Sequence, residues 1–371
     1  MKKKLLPALI VTGLIILVVI IMGITALINK YTPTKKTEDL KEYFNISSDD
    51  EAALIVDNEL SDYKAKIIDK KIYVDYKFVH DSLNSRFYWD ANENVLLYTT
   101  ASDIISAAAD SNSYSVTKQT NDFGYPIVKA TSDSALIALD YVKQYSNITF
   151  KSYDDPARIV ITSKWDEIDS ATVSKSTQVR VKGGIKSPIL KEVKKDDKIT
   201  ILDSGDKWDK IATEDGVIGY IKGKALSESK KTKLTNPDYE EETFTHIKKD
   251  KDICLAWNQV TSQSANSKVP QVISSTKGIN VMSPTWFYLN DNNGNLADIA
   301  SKDYVSYCHS QGIEVWGLFS NFENTDVDAA YVLTHTSTRT TLINQIMSAA
   351  FNYELDGVNI DFENITEAAY G

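Results

Sequence analysis

The stretch Leu355-Asp356-Gly357-Val358-Asn359-Ile360-Asp361-Phe362-Glu363-Asn364 constrains this chain more than any other. Acids and an amide alternate with large apolar residues at a period of two, which is the period of a β-strand. Asn359, Asp361 and Glu363 then share one face, and Val358, Ile360 and Phe362 share the other. Two carboxylates fixed two residues apart at the end of a buried strand cost desolvation energy, so such a strand has a chemical use for them. Their mutual repulsion favours a proton on one of the pair, which is the state a general acid needs near neutral pH.

The surroundings fit. From Lys251 onward, strands are expected at 253–257, 278–286, 313–319 and 355–362. The helix before the last strand carries an apolar stripe of Leu342, Ile343, Ile346, Met347 and Ala350. The helix before the third strand closes at Gly312, a suitable C′ residue. Strand–helix alternation predicts parallel strands joined by crossovers, with functional residues at their C-terminal ends, where Asp361 and Glu363 lie.

The run Asp356, Gly357, Val358, Asn359, Ile360, Asp361, Phe362, Glu363 resembles the catalytic motif of glycoside hydrolase family 18, the chitinase-like family. Asn359 stands where an Asp is commoner. The resemblance implies a (β/α)8 TIM barrel with the acidic strand as its fourth. It also implies substrate-assisted retaining catalysis on a glycan containing N-acetylglucosamine. In that scheme Glu363 is the acid, Asp361 holds the substrate's acetamide, and Asn359 orients Asp361. Asp356 is a candidate for substrate binding or, more simply, a structural residue at the strand's start. Trp257, Trp286, Phe287 and Tyr288 are candidate sugar-stacking rings. Core packing is the competing role for each, with Trp286 leaning to core and Trp257 to binding.

The segment Ser283-Pro284-Thr285-Trp286-Phe287 and the Asn359 variant look more like the bacterial spore-cortex and peptidoglycan branch than the chitinases. The family's usual Ser-x-Gly-Gly at the third strand is replaced by Gly317-Leu318-Phe319-Ser320-Asn321, which argues against a long chitin-binding cleft. A barrel of this kind takes about 250 residues, and 251–371 supplies about 120, so the segment is expected to be the first half, truncated after strand four and inactive by itself.

Ahead of it, 1–30 reads as a cytoplasmic tip and transmembrane anchor. Lys2, Lys3 and Lys4 precede an uncharged apolar run from Leu5 to Ile28, long enough to span a bilayer. The lysines place the N-terminus in the cytoplasm and the rest of the chain outside. Secretion after signal cleavage is the alternative. Residues 31–40 read as a linker.

Residues 41–165 carry a weak repeat of strand, short helix, turn and strand, about 63–64 residues apart by the strand–helix periods. They resemble the copper amine oxidase N-terminal-like domain, although one histidine, His80, makes no copper site. Residues 172–227 resemble a bacterial SH3-like domain through Gly205-Asp206-Lys207-Trp208, Asp215-Gly216 and Gly219-Tyr220-Ile221. This resemblance implies binding to the bacterial cell wall. Trp208 and Tyr220 serve either that binding or the core. Residues 228–250 read as a charged linker.

Charge and cysteine content bound the partners. Residues 1–30 carry four lysines and no acids. Removing those four charges from the formal net charge of −10 leaves −14 on the rest. Such an acidic remainder argues against nucleic acid. Cys254 and Cys308 form neither a disulfide framework nor a metal cluster, although a bridge between them stays open. No metal or cofactor is expected. Two functions remain: a membrane-anchored hydrolase, or a non-catalytic wall- and carbohydrate-binding surface protein.

Overall fold

The computed structural model describes residues 2–370. Met1, which begins the expected cytoplasmic tip, and Gly371, which ends the expected catalytic segment, lie outside the described residues. The chain is a multidomain mixed α/β protein. It divides into two compact units, Met1–Asn84 with Leu136–Glu241 and Ser85–Ala135 with Glu242–Gly371.

The first unit begins with one helix, Lys2–Tyr31. Every large apolar side chain from Ile10 to Ile28 on it is more than half exposed. The stretch read as a linker, 31–40, is hydrogen-bonded rather than free. Ile189 N–H donates to Lys36 C=O, and Glu38 N–H donates to Ile189 C=O, each at 2.8 Å. A mixed sheet follows, ordered Thr149–Tyr153, Arg158–Thr162, Glu51–Val56, Glu59–Ile68, Lys71–Asp75 and Ala135–Ala138. Glu51–Val56 runs parallel to Arg158–Thr162, while its other neighbour pairs antiparallel.

A second, antiparallel sheet spans Glu167–Thr172 to Lys230–Lys233, wider at both ends than 172–227. Its core is continuous with the first sheet. Val179, Ile199, Ile211 and Ile221 bury together with Phe44, Ala53 and Ile55. Trp208 and Tyr220 are both half-buried rather than part of that core.

The internal repeat is visible in the elements. Lys71–Asp75 leads through helical turns at 76–83 to the hairpin Phe87–Asp90 and Val95–Thr99. Ala135–Ala138 leads through helix Leu139–Gln144 to the hairpin Thr149–Tyr153 and Arg158–Thr162. The two hairpins find different partners. The second joins Glu51–Val56 in the first unit, and the first continues into an antiparallel meander with Ile104–Ala108, Ser113–Val116 and Gln119–Asp122 in the second. Residues 41–165 are therefore shared between the units.

The second unit also holds the parallel strands. Leu255–Asn258, Val281–Pro284, Glu314–Ser320 and Gly357–Asp361 pair in sequence order, each parallel to the next. The strand expected over 278–286 is broken. Pro284 has no N–H to extend a ladder, and Trp286 turns inward, fully buried, donating from Nε1 to Asn266 Oδ1 at 2.8 Å. Phe287–Leu289 resumes beside Phe319 and Ser320, and the Phe287 and Phe319 rings stack at 4.4 Å.

Helix Lys302–Ser310 starts at Ser301, whose side chain accepts from Tyr304 N–H. It stops in a Schellman turn at Gly312 (φ 71°), as its sequence position predicts. Gly312 N–H donates to His309 C=O, and Ile313 N–H to Cys308 C=O. Helix Thr336–Tyr353 differs from its predicted stripe. Leu342 and Ala349 are buried and Ile346 packs beside them, whereas Ile343 and Met347 face solvent, 41% and 47% exposed. Adjacent residues point about 100° apart around a helix, so a stripe built on the pairs Leu342 with Ile343 and Ile346 with Met347 puts one member of each on the solvent flank. The two cysteines are free. Cys254 is exposed, and burial together with the charge of Asp356 pushes the Cys308 thiol up to about 12.

Candidate active site

The acidic strand is held in register by its neighbour: Trp316 pairs with Gly357, Leu318 with Asn359, and Ser320 with Asp361. Gly357 has a steric reason. The Trp316 indole lies across it, and a Cβ there would fall 2.9 Å from the ring. The face shared by Asn359 and Asp361 is partly buried, while Val358 and Ile360 on the opposite face are 42% and 52% exposed. Phe362, just past the strand, packs against Leu289, Val332 and Leu342.

At the C-terminal ends of these strands lies a cleft of about 740 Å³. Asp361 and Glu363 line it with Trp257 and Tyr288, so the structure brings four of the eight sequence-predicted residues to one cavity. Trp257 is 70% exposed, so its indole face is open to the cleft it lines. Trp286 and Phe287 are core residues. Asn359 is not among the lining residues, and its Nδ2 donates to the buried Ser283 Oγ at 3.1 Å, tying the acidic strand to Val281–Pro284.

Asp356 is elsewhere, at the strand's N-terminal end. Its Oδ2 accepts the Val315 N–H at 2.8 Å and lies 2.8 Å from His309 Nε2. An extended chain advances about 3.3 Å per residue, so Asp356 is up to about 23 Å of chain from Glu363, and it does not line the cleft.

Several lining residues carried no sequence signal. Gln259 and Thr285 add polar groups, and Phe322, 45% exposed, adds a third ring. Glu323 adds a third carboxylate, fixed by the buried Ser320 hydroxyl, which donates to its Oε2 at 2.5 Å. Asn321 grips the backbone of Glu363: its Oδ1 accepts the Glu363 N–H at 2.7 Å and its Nδ2 donates to the Glu363 C=O at 2.9 Å. Asn321, Phe322 and Glu323 follow the third strand directly, and Gln259 and Thr285 follow the first and second. Position after a parallel strand's C-terminal end was the one available clue.

The described lining has three carboxylates and no Lys, Arg or His. Among the described residues no group of three or more His, Cys, Asp or Glu is placed to hold a metal ion. The arrangement suits proton transfer to and from a neutral ligand stacked on aromatic rings.

Solved structures offer partial likenesses. The chain is similar to the Bacillus cereus spore cortex-lytic enzyme SleL, at 16% identity over 36% of this chain and 33% of that one, with a TM-score of 0.27. SleL of Bacillus megaterium QM B1551 gives 17%, 36%, 32% and 0.26 in the same order. A chitinase from Chromobacterium violaceum ATCC 12472 gives 17%, 30%, 35% and 0.24. The chain spans about a third of the length of each of these. No protein-family model and no curated protein matches it.

Proposed function

We propose that the chain is part of a membrane-anchored, cell-surface glycoside hydrolase that cleaves β-linked N-acetylglucosamine glycans, peptidoglycan or chitin-like. One observation carries this reading. Asp361 and Glu363 stand two residues apart at the C-terminal end of a parallel strand and open into a cleft that also presents the exposed Trp257.

Glu363 protonates the glycosidic oxygen as the bond to the anomeric carbon breaks. The carbonyl oxygen of the sugar's own 2-acetamido group attacks that carbon, and Asp361 accepts the acetamide N–H and stabilises the oxazolinium cation. Glu363, now a carboxylate, takes a proton from water as the water opens the ring, which regenerates the acid and retains configuration. Trp257 and Tyr288 offer faces for the sugar. The parallel strands represent the first half of a (β/α)8 barrel of the family 18 kind. The antiparallel sheet around Trp208 and Tyr220 is SH3-like and contacts the cell wall.

The second reading is a non-catalytic carbohydrate-binding surface protein, favoured by the exposed rings of Trp257 and Phe322, which bind glycan whether or not Glu363 acts. One comparison separates the two. Loss of a positioned general acid costs about 10²- to 10⁴-fold in rate. In the full-length protein, Glu363→Gln is expected to lower release of reducing ends from peptidoglycan or chito-oligosaccharides by that factor while leaving glycan binding intact. Equal release from parent and variant removes the hydrolase assignment. Binding without release by either protein selects the second reading.

A further inference from the structure

We infer that Asn321 is the positioning residue for Glu363, acting as a side-chain substitute for the next rung of the strand ladder. Its consequence for turnover rests on the hydrolase reading; the contact itself does not.

The ladder between the third and fourth parallel strands ends at the pair Ser320 and Asp361. Glu363 lies two residues beyond that pair and outside the strand, and the next residue, Asn364, turns into the left-handed region at φ 55°. A residue in this position would ordinarily have a loose backbone, because no further rung exists to hold it. The third strand cannot supply that rung either. Its chain leaves the sheet after Ser320, and the departing loop is fixed by Ser320 Oγ on Glu323 and by Asn324 Nδ2 on the Asn290 C=O at 2.7 Å.

The Asn321 amide fills the gap. A primary amide carries an acceptor and a donor in one plane, as a peptide group does. Here the two bonds, at 2.7 and 2.9 Å, take both backbone polar groups of Glu363. Two bonds to the same residue fix its direction as well as its position, so the side chain leaves the backbone toward the cleft that it lines. A misplacement of about 1 Å in a reacting group costs about 10²-fold in rate, which makes this contact matter more for turnover than for stability.

Chemistry separates the variants. Alanine loses both bonds. Aspartate at 321 keeps an acceptor for the Glu363 N–H and loses the donor to its C=O. Full-length protein in detergent is compared as parent, Asn321→Ala and Asn321→Asp, by amide hydrogen exchange at Glu363 and by steady-state kinetics on chito-oligosaccharides. Expected in Asn321→Ala are loss of exchange protection at Glu363 and a kcat lower by about 10- to 100-fold, with KM within about threefold. Asn321→Asp is expected to keep protection of the Glu363 N–H while kcat still falls.

Unchanged exchange at Glu363 in Asn321→Ala overturns the contact. A drop in kcat matched by an equal drop in the folded fraction overturns the positioning role. A parent that releases no reducing ends defeats the hydrolase reading, and the kinetic half of this inference with it, while exchange at Glu363 still decides the contact.

Discussion

Asp215 illustrates how much one carboxylate can organise. Arg158 Nη2 and Lys191 Nζ each lie 2.5 Å from its Oδ2, and Thr213 Oγ1 donates to its Oδ1 at 2.6 Å. Arg158 Nε also donates to the Asp215 C=O at 2.6 Å. Burial pushes the carboxyl up, but the hydrogen bonds from Lys191 and Thr213 and the charges of Lys191 and Arg158 together outweigh it, leaving it below its ordinary value. A carboxyl lowered in the folded state contributes stability above its unfolded pKa, near 4, and loses it as pH falls through the folded value. Asp215→Asn leaves the Arg158 guanidinium buried without its counter-charge, at a cost of about 3 kcal/mol at neutral pH. Urea unfolding at pH 7, 5 and 3 is expected to show a gap between parent and variant that is steady down to about pH 5 and narrows below about pH 4. A gap of the same size at pH 3 would contradict this account. The hairpin turn at Asp215-Gly216 was legible in the sequence, and Gly216 has φ 83°. Its partner 57 residues earlier was not, because turn chemistry is local and ion pairing is not. The candidate site divides the same way. Asp361, Glu363 and Trp257 sit at strand ends that periodicity locates, and Tyr288 just beyond the expected end of another, whereas Asn321 and Glu323 belong to a loop with no period to read.

At the scale of elements, helix Thr336–Tyr353 was predicted from its apolar spacing, but nothing in its own sequence starts it. Its N-cap residue, His335, makes no capping bond, and the first turn has no acid. The carboxylates arrive from the meander of the same unit. Asp90 Oδ2 accepts from both the N–H and the hydroxyl of Thr336 at 2.6 Å, and Glu93 Oε2 accepts the Ser337 N–H at 2.9 Å. Two negative groups at a helix N-terminus satisfy its orphan donors and oppose its dipole, as an in-sequence cap would. Local capping rules could not see a cap that lies more than 240 residues away in sequence. Glu93→Ala isolates the effect, because Asp90 still holds its own turn through Oδ1 to the Asn92 and Glu93 N–H groups. The variant is expected to lose about 1 kcal/mol, with faster amide exchange at Ser337 and unchanged exchange along Phe87–Asp90. Unaltered exchange at Ser337 would mean that the helix start is held by other contacts.

For the whole molecule, the mixed α/β character and the parallel order of the last strands followed from alternation of periods. The division into units did not, since two similar hairpins of one repeat joined different sheets. The largest physical demand on the whole chain is the N-terminal helix. Its segment Ile10–Tyr31 is 22 residues long and none of its apolar window is buried. At 1.5 Å per residue it reaches about 33 Å, the thickness of a bilayer core. Leaving that much apolar surface in water is unfavourable by about 25 cal/mol per Å², so the segment needs either a lipid phase or removal. If the segment is retained as a span, the protein, expressed in bacteria, is expected to stay in the membrane fraction through high-salt and alkaline washes and to dissolve only in detergent. Deleting residues 2–31 should move the remainder to the soluble fraction. Sequencing the N-terminus of the mature protein separates anchor from signal: a start at the initiator end keeps the helix as an anchor, and a start near Ile28 to Tyr31 means that it is cut away. A full-length protein with an intact N-terminus that washes off membranes with salt alone would refute the span.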